Sequence, residues 1–107
     1  MSTNIKGSGV LTLAAGEEVE IKAEFSTSRE RHSQILIGND SIPSLTNPED
    51  LKLYLLGDNG KEAFPIPPLQ GIIVEGDAVV KIKAAAANTG AASYTVGQIF
   101  GGKITLD

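Results

Sequence analysis

Runs of alternating apolar and polar residues recur along this chain, separated by turn signals roughly every eight to twelve residues. The clearest is Glu17–Phe25, EEVEIKAEF. Val19, Ile21, Ala23 and Phe25 fall on one side, and Glu18, Glu20, Lys22 and Glu24 on the other. Successive side chains of a strand face opposite sides of its sheet, so the run predicts a strand with one buried and one wet face. A helix would scatter the same charges around its circumference. Val79–Ala86, VVKIKAAA, repeats the pattern, with Val80, Ile82 and Ala84 inward and Lys81 and Lys83 outward. The alanines Ala84–Ala87 favour helix on propensity alone. Here they continue a β-branched run that stops at Asn88-Thr89-Gly90, and a strand is predicted. Ala92–Phe100 then places Ala92, Tyr94, Val96, Gln98 and Phe100 on one face.

Shorter runs add Val10–Ala14, Gln34–Asn39, Gly71–Glu75 and Lys103–Leu106. Leu51–Leu56, LKLYLL, would suit a helix by composition, but Asp50 and Gly57 bound it too closely, and a strand is predicted. In Gly57–Gly60, GDNG, the pair Asn59-Gly60 supplies positive-φ positions for a hairpin turn. Pro65, Pro67 and Pro68 cannot donate to a ladder, so Phe64–Leu69 reads as an edge or crossover segment. Asp40–Asp50 is an irregular loop with one helical turn after Asn47. AAGEEVEIKAE and VEGDAVVKIKAA echo one another and read as two similar hairpins. The fold class predicted is all-β: a single β-sandwich or jelly roll of about eight short antiparallel strands over residues 10–107, preceded by a flexible arm over residues 1–9.

Composition narrows the chemistry. The chain has 107 residues, enough for one domain with its own core. A net charge of −4 argues against nucleic acid and anionic membrane as partners, since both need clustered Lys and Arg. With no cysteine, disulfides, thiolate metal sites and cysteine nucleophiles are excluded. No signal-peptide core and no membrane-length apolar run is present, which implies a soluble protein made in the cytoplasm.

Candidate catalytic groups are few. His32 is the only histidine, and its neighbours Ser28, Ser33 and Glu30 lie with it in a polar loop, a poor frame for a catalytic triad. Arg29 and Arg31 beside it are able to clamp a carboxylate or phosphate on a partner. Asp58-Asn59-Gly60 resembles the heart of a calcium loop, but Asp50 and Glu62 fall at the wrong spacing. Tyr54 and Tyr94 lie in strands and read as packing residues. No cofactor is implied and no enzyme activity is expected; an enzyme would need an acid cluster in a pocket.

Two segments carry a resemblance. RHSQILIGNDS, Arg31–Ser41, is an Arg-led strand ending in Asn. PIPPLQGIIVEGDAVVKIKAAAANTGAASYTVGQI, Pro65–Ile99, is a proline-marked plateau, a Gly-Asp-bounded strand and a last strand reading T-G-x-A-x-Y-x-V. Together they resemble small virion-associated β-proteins of tailed bacteriophages, of the head-decoration, cement or fibre-base kind. The loop Ser41–Asp50 and the PIPPL plateau depart from that pattern. The resemblance implies a virion protein made in the host cytoplasm, docked on the major capsid protein, often as a trimer. Partner contacts are expected from Ile5 and Lys6 in the arm, which would order on docking, and from Arg29, Arg31 and His32. The alternative is a receptor- or carbohydrate-binding module of a fibre or adhesin, with contacts from the loops Ser26–Ser33 and Asp40–Asp50.

Overall fold

The computed structural model describes residues 3–5, 11–25, 34–75, 79–98 and 102–106. They form strands β1 (Thr3–Ile5), β2 (Leu11–Leu13), β3 (Glu18–Phe25), β4 (Gln34–Asn39), β5 (Leu53–Leu56), β6 (Glu62–Ile66), β7 (Gly71–Glu75), β8 (Val79–Ala84), β9 (Ala92–Gln98) and β10 (Gly102–Leu106). Two antiparallel sheets result, six strands in the order β1-β10-β3-β8-β5-β6 facing four in the order β2-β9-β4-β7.

The pairings explain the architecture. β2 pairs β9, β3 pairs β8, β4 pairs β7 and β5 pairs β6. These are the rungs of one long antiparallel ribbon, folded back at the β5–β6 turn and wrapped on itself so that β4 meets β9 and β5 meets β8. A ribbon wrapped in this way is a jelly roll. β10 and β1 then widen one sheet through β3. The eight runs expected as strands are β2–β5 and β7–β10, and β1 and β6 are two further strands among the described residues.

Alternation decides which side chains enter the core. Ile21 and Ala23 of β3, Ile35 and Ile37 of β4, Val80, Ile82 and Ala84 of β8, Ala92, Tyr94 and Val96 of β9, and Ile104 and Leu106 of β10 are buried. Small and large side chains meet in register: Ala23 lies opposite Ile104, and Ala84 opposite Leu53. The echoed Ile-Lys-Ala steps are therefore equivalent places on neighbouring central strands.

Four expectations are corrected. The echoed segments are not hairpins, because β2 and β7 lie in the four-stranded sheet while β3 and β8 lie in the other. Each is a corner where the ribbon crosses between sheets. In the β5–β6 turn only Gly60 has positive φ, at 76°. Gly60 N–H donates to Gly57 O and Gly57 N–H to Lys61 O, which is a type I turn closed by a left-handed glycine. β8 ends at Ala84, and Ala85 opens a turn closed by Asn88 N–H. The arm expected over residues 1–9 is a strand at Thr3–Ile5, with Ile5 opposite Ile104; the rest of it lies outside the described residues. Phe64–Leu69, expected at an edge, does supply the end of edge strand β6, and Leu51–Leu56 supplies β5.

Candidate docking surface

The two outer faces of the sandwich differ in charge. On the six-stranded sheet Glu18 lies opposite Lys83 and Glu20 opposite Lys81. Lys22 Nζ is 3.3 Å and Lys81 Nζ 3.9 Å from the Glu20 carboxylate, and Lys83 Nζ is 3.6 Å from Glu62. Such exposed pairs add little stability but keep this face wet.

The four-stranded sheet presents the opposite character. Thr12 of β2, Ser93, Thr95 and Gly97 of β9, Leu36 and Gly38 of β4, and Gly71 and Ile73 of β7 take the outward positions, the complement of the buried set. No charged side chain stands among them. Glu75, which accepts a 2.6 Å hydrogen bond from Gln34 Nε2, sits at one end, and exposed Asp40 follows β4 at the other. Leu36 and Ile73 face each other in register, 44% and 54% exposed. Glycines keep the surface flat. A Cβ at Gly38 would meet Thr95 Oγ1 at 3.2 Å and one at Gly71 the Ile37 carbonyl at 3.1 Å, whereas one at Gly97 meets nothing within 4 Å.

The top of this face is set by a buried side chain. Asn39 ends β4 and is 1% exposed. Its Nδ2 donates to Leu51 O at 2.9 Å and to Ile66 O at 2.8 Å, and its Oδ1 accepts from Ser41 N–H at 3.1 Å. One amide thus ties the loop after β4 to the strand that enters β7. Its main chain joins in: Leu69 N–H donates to Asn39 O at 2.8 Å. Gln70 N–H donates to Pro67 O, with Pro68 and Leu69 central in the turn and Leu69 at φ 63°. Glycine is the relaxed choice there. Leucine stands in its place with its side chain 69% exposed, immediately before β7.

The far end of the loop is closed by polar contacts. Asn88 Oδ1 accepts from Lys52 N–H and Asn88 Nδ2 donates to Lys52 O, both at 3.0 Å. Asn47 Oδ1 accepts from Glu49 N–H at 3.3 Å and Asp50 N–H donates to Asn47 O, which makes a single hydrogen-bonded turn in place of the helical turn expected there. Asp50 accepts from the Thr89 hydroxyl and from Thr89 N–H. Those two hydrogen bonds, the hydroxyl first, hold the Asp50 carboxyl below its ordinary 3.8. Because the folded value is depressed, the stabilisation is present above 3.8 and is lost as pH falls through the lower folded value. Thr89→Ala is expected to return the Asp50 titration midpoint upward toward 3.8, read from its carboxyl carbon by NMR. An unmoved midpoint would remove Thr89 as the cause.

Ile5 is placed only by its backbone in β1, and Lys6, Arg29, Arg31 and His32 lie outside the described residues. Tyr94 is core, and burial pushes its hydroxyl upward. Tyr54 is half-buried with Lys52 Nζ 5.9 Å from its ring centre. Among the described residues no three His, Cys, Asp or Glu side chains gather to hold a metal. What sequence reading missed is the flat face. Its signal was present as the outward Leu36 in QILIGN and the outward Ile73 inside an unbroken IIV. No family model matches this chain, and neither a curated protein nor a solved structure matches it.

Proposed function

We propose that this chain is a non-enzymatic structural protein that works by protein–protein docking, decorating or cementing the outer capsid surface of a tailed bacteriophage virion. The observation that carries the docking part is the charge asymmetry: one outer face holds paired Lys and Glu, and the other is flat and free of charge between its ends. Depletion of charge is what distinguishes the centre of a protein interface from ordinary surface. A strained, exposed Leu69 at the margin of that face adds to it, since backbone strain is retained where something else gains from it. The virion shell as partner rests on the resemblance of Arg31–Ser41 and Pro65–Ile99. The jelly roll is compatible with it, as a fold that serves viral capsid proteins and lectins alike.

Co-sedimentation of the purified protein with phage capsids tests this, and Gly97→Lys is the deciding variant. A lysine fits there without a clash and places a charge mid-face. The variant should fold with its stability changed by no more than about 0.5 kcal/mol. It should dock at least about tenfold more weakly, equivalent to ~1.4 kcal/mol. Saturable docking of the parent and loss in the variant support the proposal. Equal docking of both would overturn the assignment of the face.

A further inference from the structure

The two sheets differ in width, and the difference is placed symmetrically. Exchanging β3 with β8, β4 with β9, β10 with β5, β1 with β6 and β2 with β7 maps the set of strand pairings onto itself. β6 ends the six-stranded sheet and β7 ends the four-stranded one, and the short segment 67–70 joins them. Phe64 faces inward from β6, opposite Leu55, and is 53% exposed, whereas Ile66, two residues on with the same orientation, is fully buried. Beside Phe64 opens a cleft of about 420 Å³ lined by Leu55, Phe64, Ile72, Ile73, Val74 and Glu75.

Among the described residues the floor of that cleft is a sheet edge with no strand paired to it. Asn39 N–H donates to Gln70 O, in the β4–β7 register, and Asp40 N–H donates to Ser93 O, in the β4–β9 register. Antiparallel hydrogen bonds recur at every second residue. Ile72 and Val74 therefore bond to β4, and the main-chain groups of Gly71, Ile73 and Glu75 point away from it into the cleft. Proteins blunt such edges with Pro or Lys. β6 has Pro65, whereas β7, GIIVE, has neither.

We propose that this slot binds one extended strand of a partner protein, which hydrogen-bonds to Gly71, Ile73 and Glu75 and adds a fifth strand to the four-stranded sheet. The partner strand carries apolar side chains at alternate positions, to cover Phe64 and Leu55, and a Lys or Arg beside Glu75, the one charged group lining the cleft among the described residues. The inference rests on the docking function above and names the contact through which it is made. A second copy is not the occupant. The edge is too small for one: five residues span about 17 Å, and with sheets ~10 Å apart the slot offers on the order of 200 Å². A stable globular interface takes roughly 800 Å² per partner.

The test uses the full chain, labelled with ¹⁵N, and the blocked peptide Lys-Val-Thr-Val-Thr-Val as probe. Saturable shifts at the amides of Gly71, Ile73 and Glu75 are expected, and none of them with a peptide carrying proline at its centre. Ile73→Pro removes an N–H that β4 does not use, and Phe64→Ser strips the apolar roof. Each should weaken the peptide at least tenfold with an unchanged urea midpoint, and each should abolish capsid co-sedimentation. Peptide shifts elsewhere, or none, overturn the slot. So does normal co-sedimentation of both variants, which would leave docking to the flat face. If the parent protein itself fails to sediment with capsids, the virion reading falls, and the amide shifts alone still decide the slot. A parent that is dimeric by light scattering and monomeric as Ile73→Pro would overturn the single-strand occupant in favour of a second copy.

Discussion

Replacing Asn39 by alanine is expected to cost about 3–5 kcal/mol, because it strips partners from three main-chain groups at once. The Leu51 and Ile66 carbonyls lose their donor, and Ser41 N–H loses its acceptor. The Ile66 bond is fully buried, so water cannot replace it without opening the turn that leads into β7. Against a total stability of roughly 5–15 kcal/mol this is a large fraction. Urea denaturation should show the midpoint falling with the slope unchanged, as for a loss of stability without a change in exposed surface. Asn39→Asp keeps an acceptor for Ser41 but aims a carboxylate at two carbonyls, and it should be no better than alanine. A loss below about 1 kcal/mol would mean that the main-chain bonds Leu69–Asn39 and Asn39–Gln70 hold the turn unaided.

Asn39 also marks where sequence reading stops. QILIGN reads as a strand, and in the structure its alternation turns Ile35, Ile37 and Asn39 inward. Alternation places a side chain but does not say what it meets, and the partners of Asn39 lie 12 and 27 residues away. The same limit explains the corners. EEVEIKAE and DAVVKIKA each declare a strand with one wet face, but the sheet that each preceding strand joins depends on pairings distant in sequence, such as Leu13 with Ala92. The arm shows the opposite error. STNIKGSG has the composition of a loop, yet Thr3–Ile5 is a strand, since any backbone can complete the edge that β10 leaves open. The flat face was legible residue by residue, from Leu36 and Ile73 at outward positions, and was hidden only because strands were read singly. The slot was not legible at all. It follows from β6 and β7 each ending a sheet, which no local pattern encodes.

The centre of the wider sheet sets the second large effect. Ile82 of β8 is fully buried, with Val19 of β3 on one side and Leu55 of β5 on the other. Ile82→Ala removes three carbons from a place where both neighbours are fixed in ladders and cannot close the gap. A cost of about 3–4 kcal/mol is expected, within the range for Ile→Ala at sites that relax little. Val79 opens the same strand at an outward position and is half exposed, so Val79→Ala should cost no more than about 0.5 kcal/mol. The pair separates burial from strand propensity, since both replace a β-branched residue by alanine in one strand. Equal losses would mean that propensity dominates and that the core does not lie between β8 and the four-stranded sheet. The large difference is expected because the wrapped ribbon puts Ile82, and its counterpart Ile21 in β3, where both sheets cover them. Phe64 of β6 has the same inward orientation and is half exposed, while Ile66, also inward and two residues on in the same strand, is fully buried. Burial in this fold is thus decided by position along a strand as much as by the face a side chain takes. That is why an inward phenylalanine is available to a partner, while inward isoleucines beside it and two strands away hold the protein together.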